Sequence, residues 1–187
     1  MTEQDLLAQL RKGEENAFRY LVDNNRARLF RTVYNLIPDV AEAEDIVQET
    51  FIQVMGSVSS FRGDSMVSTW MYRIAVRKAL EKMRRRKLVS RVRSFLPSWV
   101  PQEMHSMNAR QNHPGITLEQ QEQATALYQA LDTLPAAQRT AFQLILIDGL
   151  PYAEACEVMG VGVKAAESLL SRAKENLRKK LALHRNQ

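Results

Sequence analysis

The sequence GLPYAEACEVMGVGVKAAESLLSRAK, from Gly149 to Lys174, is the most informative part of the chain. It predicts a short helix from about Tyr152, a sharp turn at Gly160 and a second helix that begins near Val163. Glycine adopts the positive φ of such a turn at no steric cost, and the small residues before it let two helices cross closely. The sequence therefore predicts a helix-turn-helix.

The second helix of this hairpin carries two different stripes. At helical spacing, small and apolar side chains fall on one side, and basic and hydroxyl side chains fall on the other. The first set is Ala166, Leu170, Ala173 and Leu177, and the second is Lys164, Ser168, Ser171 and Arg172. The second set suits a DNA major groove, where serine bonds base edges, arginine reads guanine and lysine holds phosphates. An ordinary helical hairpin with a solvated charged face is the alternative for this stretch alone.

Length and charge limit the class of protein. The chain has 187 residues, a formal net charge of +5 and a pI near 9.5. That length allows one sizeable domain or two small ones, and the basic excess favours a polyanionic partner, either nucleic acid or a membrane surface. No apolar run approaches the roughly 20 residues of a membrane span, and the N-terminus lacks the features of a signal peptide. We therefore expect a cytoplasmic protein without membrane insertion.

The residues that could carry chemistry form no recognisable catalytic or metal-binding pattern. The histidines at 105, 113 and 184 are scattered, and the single cysteine excludes an internal disulfide. Cys156 lies where the hairpin needs a small buried side chain, which favours core packing over redox chemistry. There is no Ser-His-Asp set, no phosphate-binding loop and no pair of carboxylates with an evident base. We expect no enzyme activity, no catalytic residue, no metal and no cofactor.

Acidic and basic residues are segregated along the chain. Between Thr32 and Phe61 there is no lysine or arginine, whereas this segment holds the acids Asp39, Glu42, Glu44, Asp45 and Glu49. From Arg73 to Arg93, ten basic residues stand against one acid, Glu81. Such a chain can offer two surfaces to two differently charged partners. The acidic segment can equally be plain solvated helix.

Apolar residues recur at three- and four-residue steps through most of the chain, as at Leu29, Val33 and Ile37. Pro38 breaks this pattern and Asp39 restarts a helix. Residues 95–117 hold three of the six prolines and show no clear period, which is typical of a linker. We therefore expect an all-α fold of two small helical domains, residues 1–95 and 118–187, joined by a flexible linker over residues 96–117.

The sequence FRGDSMVSTW, from Phe61 to Trp70, predicts a polar loop followed by a helix. We expect this helix to start near Trp70 and to be capped by Ser68 or Thr69. Aromatic residues beside a polar loop, with arginines behind them, are typical of a site for unpaired nucleic acid, since aromatics stack on bases and cations follow the backbone. Alternatively, Trp70 and Tyr72 are core residues of the helix.

Three motifs in this order resemble the bacterial RNA polymerase sigma factors of the extracytoplasmic-function (ECF) group. AEDIVQETFIQV, from Ala43 to Val54, is similar to the family's segment that docks on the largest polymerase subunit. FRGDS and TWMYRIA, within residues 61–75, are similar to its promoter-melting and minus-ten segment. LDTLPAAQR, residues 131–139, followed by the hairpin, is similar to the domain that reads the minus-thirty-five element. The resemblance covers nearly the whole chain.

The resemblance implies a protein that binds core RNA polymerase and promoter DNA, traps unpaired bases of one strand, and is held by an anti-sigma protein. The implied polymerase-binding residues are Glu44, Asp45, Val47, Gln48, Glu49 and Phe51. The implied minus-ten residues are Phe61, Arg62, Asp64, Ser65, Trp70, Arg73, Ile74, Arg77 and Lys78. The implied minus-thirty-five residues are Lys164, Glu167, Ser168, Ser171, Arg172 and Lys174.

The sequence departs from the family pattern at three positions of the DNA-reading segments. Arg77 stands where many relatives have an asparagine that lines the minus-ten pocket. Glu167 and Leu169 stand at positions that are commonly basic, which lowers phosphate affinity and favours readout of cytosine amino groups.

Two other classes of protein are compatible with parts of the sequence. A conventional helix-turn-helix regulator needs neither the acidic segment nor the loop, and it usually binds DNA as a dimer at a palindrome. A sigma-like decoy that only captures an anti-sigma protein needs the packing surfaces but no basic DNA face. The basic run from Arg73 to Arg93 argues against the decoy.

Overall fold

Helices make up nearly all of the computed structural model, which describes residues 2–93 and 118–184. The N-terminal half contains α1 (Glu3–Arg11), α2 (Glu15–Leu36), α3 (Val40–Ser57), a 3-10 turn (Val58–Ser60) and α4 (Val67–Arg93). The C-terminal half contains α5 (Leu118–Asp132), α6 (Ala136–Phe142), a π-type turn (Gln143–Ile147), α7 (Tyr152–Met159) and α8 (Val163–His184). The expected all-α class is confirmed, and the predicted linker lies outside the described residues.

Local sequence explains where α1 and α3 begin. The hydroxyl of Thr2 accepts a hydrogen bond from the N–H of Asp5, and the Asp5 carboxylate accepts one from the N–H of Thr2, which forms a capping box. Directly after Pro38, the carboxylate of Asp39 accepts a 3.0 Å bond from the N–H of Glu42. These caps satisfy N–H groups that have no partner within the helix. The predicted break at Pro38 and restart at Asp39 are confirmed.

The start of α4 differs from the sequence prediction. The helix begins at Val67, three residues before Trp70, and the N–H of Val67 donates to the carboxylate of Glu3 in α1. Val67 is buried, so it belongs to the core and not to the solvated loop. The prediction of a cap at Ser68 or Thr69 is wrong because a distant helix supplies the carboxylate, which local sequence cannot reveal.

The N-terminal half has an apolar centre to which all four of its helices contribute. Leu10 in α1, Leu21 in α2, Val54 in α3 and Met71 in α4 are each at most 1% exposed and belong to one cluster. Burial of side chains of this size contributes roughly 1.5 to 3 kcal/mol each. This packing fixes the faces that α2, α3 and α4 present outward.

Ion pairs join the acidic helix to the basic helix. Lys78 and Lys82 of α4 contact Glu49 and Glu42 of α3 at 2.8 and 3.6 Å. Arg86, one turn further along α4, contacts Glu42 at 2.7 Å. Part of the acidic segment is therefore paired with part of the basic run. The acidic segment is interpreted from sequence either as a docking surface or as a solvated helix, and neither interpretation includes this pairing.

The C-terminal half is centred on α8, which packs against α5, α6 and α7. The predicted buried stripe of α8 is confirmed, since Ala166, Leu170, Ala173 and Leu177 are each at most 4% exposed. The predicted turn is confirmed as well: Gly160 has a φ of +66° and separates α7 from α8. A side chain at this φ costs about 1 to 2 kcal/mol, which explains the glycine.

The two halves pack against each other, chiefly through α4 and α7. Leu144, Leu150 and Val158 from the C-terminal half join the apolar cluster that contains Val33 and Tyr72 from the N-terminal half. This shared cluster gives the contact an apolar interior.

Side-chain hydrogen bonds between residues 2–93 and 118–184 also join the halves. They are Thr32 Oγ1 to the Asp148 carboxylate at 2.8 Å, Arg139 Nη2 to the main-chain carbonyl of Asn35 at 2.9 Å, and Thr69 Oγ1 to the Glu154 carboxylate at 3.0 Å. We call these bonds, together with the shared apolar cluster, the interdomain contact.

Among the described helices, none has both the length and the apolar character that a membrane span requires. Within the same residues, no group of three or more histidine, cysteine or acidic side chains is arranged to hold a metal ion.

Candidate polymerase and nucleic-acid interface

The predicted polymerase-binding residues divide into exposed and buried ones. Glu44, Asp45, Gln48 and Glu49 are exposed on α3, whereas Val47 is 4% exposed. The remaining residue of this set, Phe51, is half-buried and packs against the core. The polar members can therefore contact a partner directly, while the apolar members support the helix that carries them.

A cavity of about 410 Å³ lies between α2 and α3 beside these exposed residues. Three of the predicted residues reach it from α3, and four residues of α2 complete it. Its lining is Asp23, Arg26, Ala27, Phe30, Glu44, Val47 and Gln48. The mixture of one cation, two acids, an amide and apolar carbons can receive a side chain that has an apolar stem and a polar end.

The α2 part of this cavity is absent from the sequence prediction. Asp23 and Arg26 are exposed, and their spacing along α2 is unremarkable in the sequence. Only the packing of α2 against α3 brings them next to Glu44 and Gln48. Sequence carries a weak signal for them, namely two charged residues one turn apart on a helix with an apolar opposite face.

The predicted promoter-melting loop begins with a stacked aromatic pair. The rings of Phe61 and Trp70 lie 4.4 Å apart between centroids with an interplanar angle of 13°. Both rings are half-buried and pack against the N-terminal core, to which the buried Ile74 belongs. Trp70 therefore belongs in part to the core, and because its ring stays partly exposed, its stacking on an unpaired base remains a prediction. Tyr72 is 4% exposed and is a core residue.

Helix α1 holds both ends of this loop. A guanidinium nitrogen of Arg11 donates to the main-chain carbonyl of Phe61, and the Glu3 carboxylate accepts from the N–H of Val67. Between these anchors, Gly63 has a φ of +81° and Arg62, Asp64 and Met66 are exposed, while Ser65 is partly buried. The loop tip faces solvent on a fixed base, which is an arrangement that can receive an unpaired base without rebuilding the core.

The other predicted minus-ten residues differ in their solvent exposure and in their ion pairs. Arg73 and Arg77 lie four residues apart on α4 and are both exposed, so they can contact phosphates on the same side of the helix. Lys78 is partly buried and forms the ion pair with Glu49. The structure thus gives Lys78 a packing role between α3 and α4 that the sequence prediction did not include.

All six predicted minus-thirty-five residues are exposed on α8, along its face opposite the buried stripe. They are Lys164, Glu167, Ser168, Ser171, Arg172 and Lys174. They follow directly on the turn at Gly160, so α8 is the second helix of the helix-turn-helix, the one that enters the major groove in this motif.

Burial shifts two ionisation equilibria at the interdomain contact. Burial raises the pKa of Asp148 above its usual value, against the hydrogen bonds from Thr32 and Gln143 and the positive charges of Arg31 and Arg28, which lower it. Burial also raises the pKa of the Tyr72 hydroxyl, and the negative charge of Asp148 adds to that increase.

Two family models match the chain, one in each helical half. The family model described as Sigma-70 region 2 matches residues 21–89, and the one described as Sigma-70, region 4 matches residues 124–177. The chain is 30% identical to the ECF RNA polymerase sigma-E factor of Escherichia coli (strain K12), over 97% of this chain and 95% of that protein. It is 31% identical to the RNA polymerase sigma-H factor of Pseudomonas aeruginosa, over 96% of this chain and 93% of that protein. The chain belongs to the ECF family of RNA polymerase sigma factors.

Solved structures share the fold. CnrH in complex with the cytosolic domain of CnrY matches with a TM-score of 0.70 and 22% identity, over 97% of both chains. The sigma factor RpoE in complex with the anti-sigma factor NepR from Bartonella quintana matches with a TM-score of 0.64 and 23% identity, over 88% of this chain and 96% of that one.

Proposed function

We propose that this chain is an alternative sigma factor that binds core RNA polymerase and directs it to promoters, under the control of an anti-sigma protein. The observation that carries the proposal is the presence, in one chain, of both sigma regions in order, each with its own exposed surface. A helix-turn-helix regulator without the polymerase-docking region does not account for the match over residues 21–89.

Residues 1–95 form the domain that docks on polymerase and recognises the minus-ten element, and residues 118–187 form the domain that reads the minus-thirty-five element. The exposed acids and the cavity between α2 and α3 support the docking role. The exposed basic and hydroxyl face of α8 supports the role in duplex recognition.

Promoter melting needs no bond chemistry in this proposal. An unpaired base loses a few kcal/mol of stacking when it leaves the duplex, and stacking on an aromatic side chain returns about 1 to 3 kcal/mol. The Phe61 and Trp70 rings, with the exposed loop tip between Arg62 and Met66, supply the stacking surface and the polar contacts. The chain therefore acts by binding and not as an enzyme, and its place of action is the cytoplasm, where the chromosome is.

Charge reversal on α3 tests the docking role. Glu44→Arg with Asp45→Arg places two positive charges on the exposed surface, whereas Glu49 is left intact because it pairs with Lys78. The matched control is Glu15→Arg with Glu175→Arg, which makes the same change of net charge on exposed helix surfaces elsewhere. We expect the α3 variant to lose co-purification with core polymerase and the control to retain it.

Transcription tests the proposal as a whole. Core polymerase with the purified chain is expected to start transcription at defined sites on linear fragments of genomic DNA, and core polymerase alone is not. Mapping the 5′ ends of the transcripts then identifies the two promoter elements. Absence of specific starts with an intact, polymerase-bound chain would contradict the proposed function.

A further inference from the structure

Helix α1 lies against the promoter-melting loop, residues 61–66, with one of its faces. Glu3, Leu7 and Arg11 follow one another at four-residue steps, so they lie along one side of the helix. The outer two side chains form hydrogen bonds with main-chain groups at the two ends of the loop. At about 1.5 Å of rise per residue, the two side chains are separated by roughly 12 Å along the helix axis. Helix α1 therefore bridges the loop from one end to the other.

The middle of this face contacts the loop directly. A Cβ atom placed on Gly63 would lie 3.3 Å from Cδ2 of Leu7, which is closer than ordinary van der Waals contact. Leu7 is half-buried and packs against the N-terminal core. The loop therefore rests on α1 between its two hydrogen-bonded ends.

Within the described parts of the chain, the long-range hydrogen bonds that reach residues 61–67 both come from α1. The other main-chain bonds at the loop are local. The N–H of Phe61 donates to the carbonyl of Val58 at 3.3 Å, and the N–H of Trp70 donates to the carbonyl of Met66 at 3.0 Å. Local bonds of this kind close single turns, so the position of the loop on the domain depends on α1.

Helix α1 is itself firmly held. The capping box between Thr2 and Asp5 fixes its first turn. Leu6 and Leu10, on the neighbouring side of the helix, are 7% and 1% exposed and belong to the same apolar cluster as Met71 of α4. A support that is packed on the core can keep the loop in one conformation before DNA arrives.

We propose that α1 is the positioning element of the promoter-melting loop, with Glu3 and Arg11 as positioning residues for the capture of unpaired minus-ten bases. The inference rests on the proposed function. The match to Sigma-70 region 2 begins at residue 21, so α1 lies outside it. A loop that is already fixed in the base-receiving conformation loses less conformational freedom on binding, and it therefore binds the unpaired strand more tightly.

The two positioning residues can be changed without opening a cavity, because both are exposed. The α1 variant, Glu3→Ala with Arg11→Met, removes both bonds to the loop. The conservative variant, Glu3→Gln with Arg11→Lys, keeps an acceptor and a donor at these positions. The matched control is Glu15→Ala with Arg19→Met, which removes the same two side chains from an exposed ion pair on α2.

Trp70 reports the state of the loop in the free chain. Trp99→Phe leaves Trp70 as the single tryptophan, and its ring stacks on Phe61, the residue to which Arg11 donates. We expect acrylamide to quench Trp70 more strongly in the α1 variant than in the parent, the conservative variant and the control. Circular dichroism is expected to show equal helical content in all four chains. If the double change lowers the helical content, the two single changes serve for the same comparison.

Binding of single-stranded DNA by the complex with core polymerase tests the functional part. The probe is a fluorescent oligonucleotide with the non-template strand of a minus-ten element mapped by transcription. If loss of both bonds lowers the base-receiving fraction of the loop to about one-tenth, the apparent Kd of the α1 variant rises about tenfold. The conservative variant and the control are expected to keep the Kd of the parent, and all four chains are expected to bind core polymerase equally.

The salt dependence of this Kd separates positioning from a direct phosphate contact of Arg11. Loss of one phosphate contact on a single strand reduces the slope of log K against log salt concentration by about 0.7. We expect the α1 variant to keep the slope of the parent. A slope reduced by that amount, or an equal Kd in the α1 variant and the parent, would overturn the inference while leaving transcription by the parent intact. Absence of specific transcription by the parent chain with core polymerase would instead refute the proposed function.

Discussion

The hydroxyl of Thr32 in α2 donates a 2.8 Å hydrogen bond to the carboxylate of Asp148, 116 residues later in the chain. Gln143 donates a second bond to the same carboxylate at 3.0 Å. No basic side chain among the described residues forms an ion pair with it, and burial raises its pKa above the usual value. Ionisation of Asp148 therefore opposes the interdomain contact, because burial disfavours the charged form of the carboxyl.

This shift predicts a pH-dependent stability. A carboxyl whose folded-state pKa is raised contributes stability below its ordinary pKa of 3.8, and that contribution is lost as the pH rises through the raised value. Asp148→Asn removes the titration, and an amide keeps both hydrogen bonds if its oxygen accepts from Gln143 and its nitrogen donates to Thr32. We expect the Tm of this variant minus that of the parent to grow as the pH rises from 4 to 8. A difference that is constant across this range would contradict the prediction.

We expect removal of the Arg139 side chain to lower the stability of the fold strongly. Its side chain is buried and donates to the Asn35 carbonyl at 2.9 Å and to the Asp132 carboxylate. Removing one partner of a buried pair leaves the other without compensation, so Arg139→Ala is expected to cost about 3 kcal/mol in the free energy of unfolding. Urea denaturation measures this value. The control is Arg172→Ala, an exposed arginine of α8, for which we expect a change below about 0.5 kcal/mol.

We expect the same Arg172→Ala variant to have an altered DNA specificity. If Arg172 makes a bidentate contact with guanine, its loss is expected to cost about 1 to 3 kcal/mol at one base pair of the minus-thirty-five element and to relax preference there. Lys174 and Arg178 are both exposed on α8, and replacement of either by alanine is expected to weaken binding to all sequences alike. A base-substitution series of promoter fragments distinguishes the two effects, and unchanged relative preferences in Arg172→Ala would make it a phosphate contact only.

We expect replacement of the loop-tip residues to impair DNA strand separation and no other step. Asp64, Ser65 and Met66 are replaced by glycine and serine, and Val67 is kept because it is buried and begins α4. We expect the fold and polymerase binding to be retained, and permanganate reactivity of unpaired thymines to fall on duplex promoters. Templates with a pre-melted minus-ten region are expected to restore part of the activity. Equal loss on both templates would mean that the loop serves DNA binding in general.

Sequence alone determined the features that depend on neighbours along the chain. Pro38 and Asp39 end one helix and begin the next, and Gly160 supplies the left-handed turn between α7 and α8. The alternation of buried and exposed positions on α8 follows from helical spacing. The family resemblance, carried by short motifs in order, was likewise visible from sequence and is confirmed by the matches to both sigma regions.

Tertiary structure alone decided how distant segments share charges and surfaces. It capped α4 with Glu3, paired Lys78 with Glu49, and joined α2 to α3 around one cavity. It also buried Arg139 beside Asn35 and brought α7 onto α4. These partners lie up to about a hundred residues apart in the chain. Helical periodicity predicts that one face of a helix is buried, but it does not predict which other helix covers that face. The partner of that face depends on the packing of whole helices, and this packing also brings the N-terminal and C-terminal halves into contact.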